Sequence, residues 1–200
     1  MTVRTPELLR PDDTALLVID VQERFRAAVP AFDRMVGRIR TLAQGAALLG
    51  VPVVVTEQYP RGLGPTVAEL DEVLQGAERL EKVTFSAAAA PGWDALLDRL
   101  GRRQVLLCGI EAHVCVHQTA TELLRAGLEV HAALDAIESR EAVSRKLGVD
   151  RMLADGVVGS GVELALFELL RTKEHAAFKD VQALVKELPV YNGELVAGAA

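Results

Sequence analysis

Residues 104–126 read QVLLCGIEAHVCVHQTATELLRA. Val105 to Leu107 is an unbroken apolar run, the pattern of a strand buried on both faces of a parallel sheet. Gly109-Ile110-Glu111 then marks a sharp turn, and the residues after it take helical spacing with Cys115 in the first turns. In an open α/β sheet, ligands collect outside the carboxyl ends of the strands. A cysteine at that edge, near a helix N-terminus, stands where peptide dipoles favour a thiolate.

Outward from this stretch, strand and helix patterns alternate. Ala15 to Asp20 is a continuous apolar run closed by an acid. Phe32 to Leu49 repeats apolar residues at helical spacing and stops at Gly50. Val51 to Thr56 is a second buried strand, followed by the Gly- and Pro-rich loop EQYPRGLGPT over 57–66. A loop in that place is a candidate active-site loop. Short helices are expected over Val67–Leu74 and Trp93–Leu100, with a weaker strand, Arg79–Phe85, between them. After the central stretch, a strand over Leu128–Leu134 ends at Asp135, a helix covers Glu141–Ala154, and a short strand covers Gly156–Gly159. Ser160 with Glu163 reads as a capping box for a helix over Val162–Arg171. A last helix, Glu174–Lys186, carries the stripe Ala177, Phe178, Val181, Leu184 and Val185. Residues 1–13 read as an irregular lead-in, and the small-residue tail from Gly193 is expected to fray. The alternation predicts an α/β fold with a mainly parallel sheet and helices on both faces, as one domain over 1–200 with its core over about 14–171.

Half of the 200 residues are hydrophobic, enough for a sizeable core, and the net charge is −6. An acidic chain argues against nucleic acid or an anionic membrane as a default partner. The N-terminal MTVRTPELLRPDD has no apolar core of a secretory signal, and the apolar runs are of strand length, so a cytoplasmic protein is expected. Cys108 and Cys115 form neither a CxxC pair nor a disulfide framework. No GxGxxG or Walker sequence follows a strand, so no nucleotide cofactor is expected. His113 and His117, four apart on one helix, have chelating spacing, but belong to no known ligand set; no metal is expected.

One acid, one base and one thiol remain: Asp20 ending the first strand, Lys82 in the third and Cys115 after the fourth. Parallel strands bring their carboxyl ends to one edge, so the three can converge there. Lys82 as an ammonium would lower the thiol's pKa, Asp20 would take its proton, and backbone N–H groups of the 109–115 turn would receive an oxyanion. Plainer readings stand beside each: an Asp after a strand is often a turn residue, a Lys in a weak strand a solvated side chain, and a Cys in an apolar helix a small core residue.

Four segments carry a more specific signal. ALLVIDVQERF (15–25), VPVVVTEQYPRGLGPTVAEL (51–70), EKVTFSA (81–87) and LLCGIEAHVCVHQTATELLRAGLEVHAALDAIESR (106–140) together resemble the isochorismatase-like cysteine hydrolases, the superfamily that includes nicotinamidases and carbamoylsarcosine amidohydrolases. The resemblance implies a three-layer α/β/α, Rossmann-like fold with a six-stranded sheet, and catalytic Asp20, Lys82 and Cys115. It also implies a non-proline cis peptide at Ile110-Glu111, an oxyanion hole from the N–H groups of Glu111 and Cys115, and assembly as a homo-oligomer, dimer or tetramer. By position, Gln22, Gln58 and Tyr59 are expected to line the cleft and Phe25 and Phe85 to form an apolar wall. Core packing is an equal reading for the two phenylalanines, and a helix-start hydrogen bond for Gln22. Cys108 is expected in the core.

True isochorismatases lack the nucleophilic cysteine. Nicotinamidases carry a metal-binding Asp-x-His where this chain has Thr56-Glu57-Gln58-Tyr59. The loop most resembles the isochorismatase-domain-containing subgroup. The expected activity is therefore metal-independent hydrolysis of a carbon–nitrogen bond in a small amide through a thioester. A thiol redox sensor using Cys115, and a structural subunit docking through the C-terminal stripe, are the alternatives.

Overall fold

In the computed structural model, residues 7–188 are described; the start of the lead-in (1–6) and the tail from 193 lie outside them. Six strands, β1 (Thr14–Ile19), β2 (Val53–Gln58), β3 (Glu78–Lys82), β4 (Gln104–Ile110), β5 (Glu129–Glu138) and β6 (Val158–Ser160), form one parallel sheet in the order β3-β2-β1-β4-β5-β6. Helices α1 (Phe32–Leu48), α2 (Pro60–Leu63), α3 (Ala68–Asp71), α4 (Trp93–Leu100), α5 (His117–Arg125), α6 (Ala142–Ala154), α7 (Val162–Leu170) and α8 (Phe178–Lys186) connect and cover it.

The period-two alternation of the strands divides the core between the two faces. Leu16, Val18, Val55, Leu106 and Cys108 pack with α1, α3, α7 and α8. Leu17, Ile19, Val54, Val105 and Leu107 pack with α4, α5 and α6. β1 and β4 are buried along their whole length because both neighbours and both faces are covered. The chain winds outward from β1 in one direction and from β4 in the other. The crevice between their carboxyl ends is therefore the switch point where such sheets place their sites.

Several segments differ from expectation. The second strand begins at Val53 rather than Val51 and runs on through Glu57 and Gln58, so the loop after it starts later and contains the short α2. β3 stops at Lys82, and Val83 to Ser86 form bends instead. β5 is longer than its hydrophobic run. Between the pairs Leu107↔Ala132 and Gly109↔Ile137, β4 advances two residues (109 − 107) and β5 five (137 − 132), so β5 carries three extra residues. Such an insertion leaves ladder groups unpaired. Here Arg145 of α6 donates its Nε to the Ile137 carbonyl at 2.9 Å and a terminal nitrogen to that of Leu134.

The capping box at Ser160 does not form. The N-cap of α7 is Gly161, and the Val162 N–H donates to Asp135 Oδ1 at 2.9 Å while Arg38 pairs with the other oxygen. A carboxylate brought from β5 satisfies the helix N-terminus better than a local hydroxyl. The C-terminal helix starts at Phe178 rather than Glu174. Val181 is fully buried, and Phe178 and Val185 pack on the α1 side of the core. The stripe is used within the chain, which removes the basis for a docking face there.

Candidate active site

Asp20 follows β1 at φ 53, a left-handed conformation that costs an ordinary residue about 1–2 kcal/mol and that Asp tolerates better than most. Its amide donates to the Thr56 carbonyl at 3.1 Å, and its own carbonyl accepts the Gln22 amide at 2.8 Å. The Asp20 side chain is buried. Oδ1 accepts a hydrogen bond from the Thr56 hydroxyl at 2.7 Å, and Oδ2 faces Lys82 Nζ at 2.6 Å.

Lys82 ends β3 in register with Gln58 of the intervening strand. β3 and β1 are two strand spacings apart, roughly 10 Å. The four-carbon stem of Lys82 lies across β2 to reach Asp20, with both side chains essentially inaccessible (0% and 1% exposed). The ammonium meets four oxygens: Asp20 Oδ2, Gln58 Oε1 at 2.8 Å, and the carbonyls of Thr84 at 3.3 Å and Phe85 at 3.0 Å.

Cys115 lies on a π-helical turn, Ala112–Val116, that leads from β4 into α5. Val114 and Val116 both donate to the Glu111 carbonyl, and the Ile110-Glu111 peptide is cis. Two close backbone approaches seat this turn. At Gly109 (φ 117) a Cβ would stand 2.1 Å from the Ile19 carbonyl oxygen, so only glycine lets the end of β4 lie against the residue before Asp20. At Gly148 of α6 a Cβ would stand 2.6 Å from the Ala112 carbonyl carbon and the His113 nitrogen. Helix α6 thus rests its backbone directly on the turn. On α5, Thr119 accepts the Ala87 N–H at 2.9 Å and ties the helix after Cys115 to the loop after Lys82.

The Cys115 thiol lies beside the Asp20–Lys82 pair, close enough for both charges to act on it, so the three predicted residues converge in space. Lys82 lowers the thiol as expected, but larger effects oppose it. Burial pushes the thiol up to about 12, the negative charge of Asp20 adds to the rise, and Lys82 opposes it without cancelling it. Desolvation outweighs the one cation, which favours the protonated thiol beside the Asp20–Lys82 pair.

The residues expected to line the cleft separate into two groups. Gln22 is completely buried, and its amide is occupied by backbone: Oε1 accepts the Gln58 N–H, and Nε2 donates to the Gln58 and Gly64 carbonyls. It is a structural clamp rather than a cleft residue, because β2 extends two residues further than expected and brings the Gln58 backbone beside it. Gln58 turns its carbonyl oxygen to Lys82. Phe25 packs on the α1-side core, so core packing holds for it. Tyr59 and Phe85 remain about half exposed beside the site. The Glu111 side chain makes no cap hydrogen bond to the turn; its carboxylate accepts the Arg140 amide and Nε at 2.9 and 3.1 Å. A cavity of about 210 Å³ lies beside this pair, lined also by His113, Glu141 and Ser144.

His113 Nδ1 pairs with the Ser139 hydroxyl at 3.2 Å, whereas His117 Nε2 stands 3.7 Å from Asp155, so their side chains meet different partners. Among the described residues no cluster of three or more His, Cys, Asp or Glu is placed to hold a metal ion. Both cysteines are free, and Cys108 is a fully buried core residue. No helix of the described residues is long and apolar enough to cross a membrane.

Thr56, the Thr84 and Phe85 carbonyls, Gly109 and Gly148 were not legible as site residues. Each acts through a register or a close approach that exists only once the strands are paired.

A six-stranded parallel sheet with this order, and a π-helical turn seated at its switch point, define an α/β protein of the isochorismatase fold. The structure of Mar1 ribonuclease from Caenorhabditis elegans matches with a TM-score of 0.88 at 36% identity, over 93% of this chain and 96% of that one. A hypothetical protein from Trypanosoma cruzi matches with a TM-score of 0.80 at 30% identity, over 92% and 98%. The isochorismatase domain profile matches residues 14–162, and the chain belongs to the isochorismatase family. It is 42% identical over 179 residues to isochorismatase domain-containing protein 1 of Salmo salar, covering 89% of this chain but only 62% of that protein. Against isochorismatase domain-containing protein 2A of Mus musculus it is 39% identical, over 94% of this chain and 89% of the relative.

Proposed function

We propose that this chain is a metal-independent cysteine hydrolase that cleaves a carbon–nitrogen bond of a small amide through a thioester. The observation that carries the reading is the convergence of Asp20, Lys82 and Cys115, from three separate elements, at the switch point, with a buried Asp20–Lys82 pair whose two charges both act on the Cys115 thiol. Because burial opposes a free thiolate, the proton leaves Cys115 as its sulfur attacks the substrate carbonyl, passing to Asp20. The N–H groups of Glu111 and Cys115 receive the oxyanion. The tetrahedral intermediate collapses, the C–N bond breaks, and the amine leaves with the proton held by Asp20. Asp20 then takes a proton from water; the resulting hydroxide attacks the thioester, the acid departs, and the proton returns to sulfur. Lys82 holds the Asp20 carboxylate in line throughout. The half-exposed rings of Tyr59 and Phe85 offer apolar contact to the acyl part of the substrate.

A redox sensor needs a populated thiolate, which the burial of Cys115 opposes. The family resemblance further suggests a homo-oligomer, dimer or tetramer, which the mass in solution tests. For the activity, a panel of small amides is scored by amine or ammonia release with wild type and Cys115→Ala. The expected result is turnover of at least one amide by wild type and none by the variant. Turnover of the amides, or cleavage of RNA, that survives Cys115→Ala overturns the mechanism.

A further inference from the structure

We propose that Gln22 and Gln58 are positioning residues that couple the 59–64 segment beyond β2 to the ammonium of Lys82. The inference rests on the reading of Asp20, Lys82 and Cys115 as the active site. Gln58 acts on Lys82 in two ways. Its Oε1 accepts directly from Nζ at 2.8 Å. Its Nε2 donates to the Val83 carbonyl at 3.0 Å, which anchors the bend whose next two carbonyls, Thr84 and Phe85, are also acceptors for Nζ. The amide has only one workable orientation, since the flipped form would turn NH₂ donors toward an ammonium.

Gln22 in turn holds Gln58. It bonds both the N–H and the carbonyl of the Gln58 backbone, at 2.8 and 3.1 Å, as a neighbouring strand would. The same Nε2 donates to the Gly64 carbonyl at 2.6 Å, the residue that closes α2. A displacement of the 59–64 segment therefore pulls on Gln22, then on Gln58, then on the ammonium. Lysine has a flexible stem that loses substantial rotamer freedom when fixed, so Asp20 alone leaves its position underdetermined. The glutamines supply the missing constraints.

The test reads Lys82 itself and needs no substrate. The side-chain ammonium protons of Lys82 are followed by ¹H–¹⁵N correlation NMR, with the signal assigned by its loss in Lys82→Met. In wild type they exchange slowly with water because they are buried and hydrogen-bonded. Gln58→Ala and Gln22→Ala are each expected to speed this exchange at least tenfold, with the backbone amides of β1 and β4 unshifted. Gln58→Glu keeps an acceptor for Nζ but has no donor for the Val83 carbonyl, so its exchange is expected between wild type and Gln58→Ala. Exchange within twofold of wild type in Gln58→Ala and Gln22→Ala, or exchange in Gln58→Glu faster than in Gln58→Ala, overturns the proposal. If no amide is hydrolysed by wild type yet exchange responds as expected, the hydrolase reading fails and the coupling stands. If hydrolysis is abolished by Cys115→Ala but exchange does not respond to the glutamine variants, the coupling fails and the hydrolase reading stands.

Discussion

Replacing Lys82 by Met removes the cation that faces a carboxylate only 1% exposed. The methylene stem and volume are kept, so the apolar contacts change little. The remaining effect is a buried charge without its partner, and breaking such a pair from one side costs about 3–5 kcal/mol. Asp20 keeps the Thr56 hydroxyl and Cys115, which places the expected loss nearer the lower figure. For a chain of this length each kcal/mol moves the thermal midpoint by about 2–4 °C, so the expected fall is on the order of 10 °C. The surface pair Arg99–Glu78, about half exposed on both sides, is the control. Arg99→Ala should cost less than about 1 kcal/mol, because solvent screens that pair. The double variant Asp20→Asn/Lys82→Met removes both charges and should recover most of the loss. Urea unfolding and thermal melts at neutral pH measure all four proteins. A Lys82→Met midpoint indistinguishable from that of Arg99→Ala, or no recovery in the double variant, refutes the account of this ion pair.

Four further outcomes follow from the site and the turn that carries it. With the thiol pushed up to about 12, alkylation of Cys115 by iodoacetamide should rise about tenfold per pH unit between pH 7 and 10. A rate already flat above pH 7 would mean a stable thiolate. The same raised value makes the protonated thiol a source of stability that is full below the unfolded cysteine value, about 8.5, and lost as pH climbs toward 12. Cys115→Ala should therefore lose less stability than wild type between pH 9 and 11 in urea titrations. Gly109→Ala drives a Cβ into the Ile19 backbone, whereas Gly101→Ala, also at positive φ, meets nothing within 4 Å. The first should cost several-fold more than the second, which carries only the roughly 1–2 kcal/mol of its backbone conformation; equal melting shifts would contradict the close approach. Gly148→Ala should destabilise even though alanine favours a helix interior by about 1 kcal/mol, because α6 would be forced off the turn that carries Cys115. A gain in melting temperature would show that α6 can yield there.

Hydrophobic patterning by itself determined the class of fold. Continuous apolar runs such as Ala15–Ile19 and Val105–Leu107 can only be strands covered on both faces, and the helical stripes between them require parallel crossovers. Residue type and strand order left Asp20, Lys82 and Cys115 as candidates beside plainer readings, and the resemblance of four segments to the isochorismatase-like hydrolases singled them out. Tertiary structure alone decided the rest. Register turned Gln22 and Gln58 from expected cleft residues into a clamp on Lys82, since a two-residue change in where β2 ends alters which groups face each other. Long-range pairing gave the α7 N-terminus to Asp135 instead of Ser160. Burial opposes the thiolate expected at Cys115, because desolvation depends on everything packed around the sulfur and local dipoles do not report it.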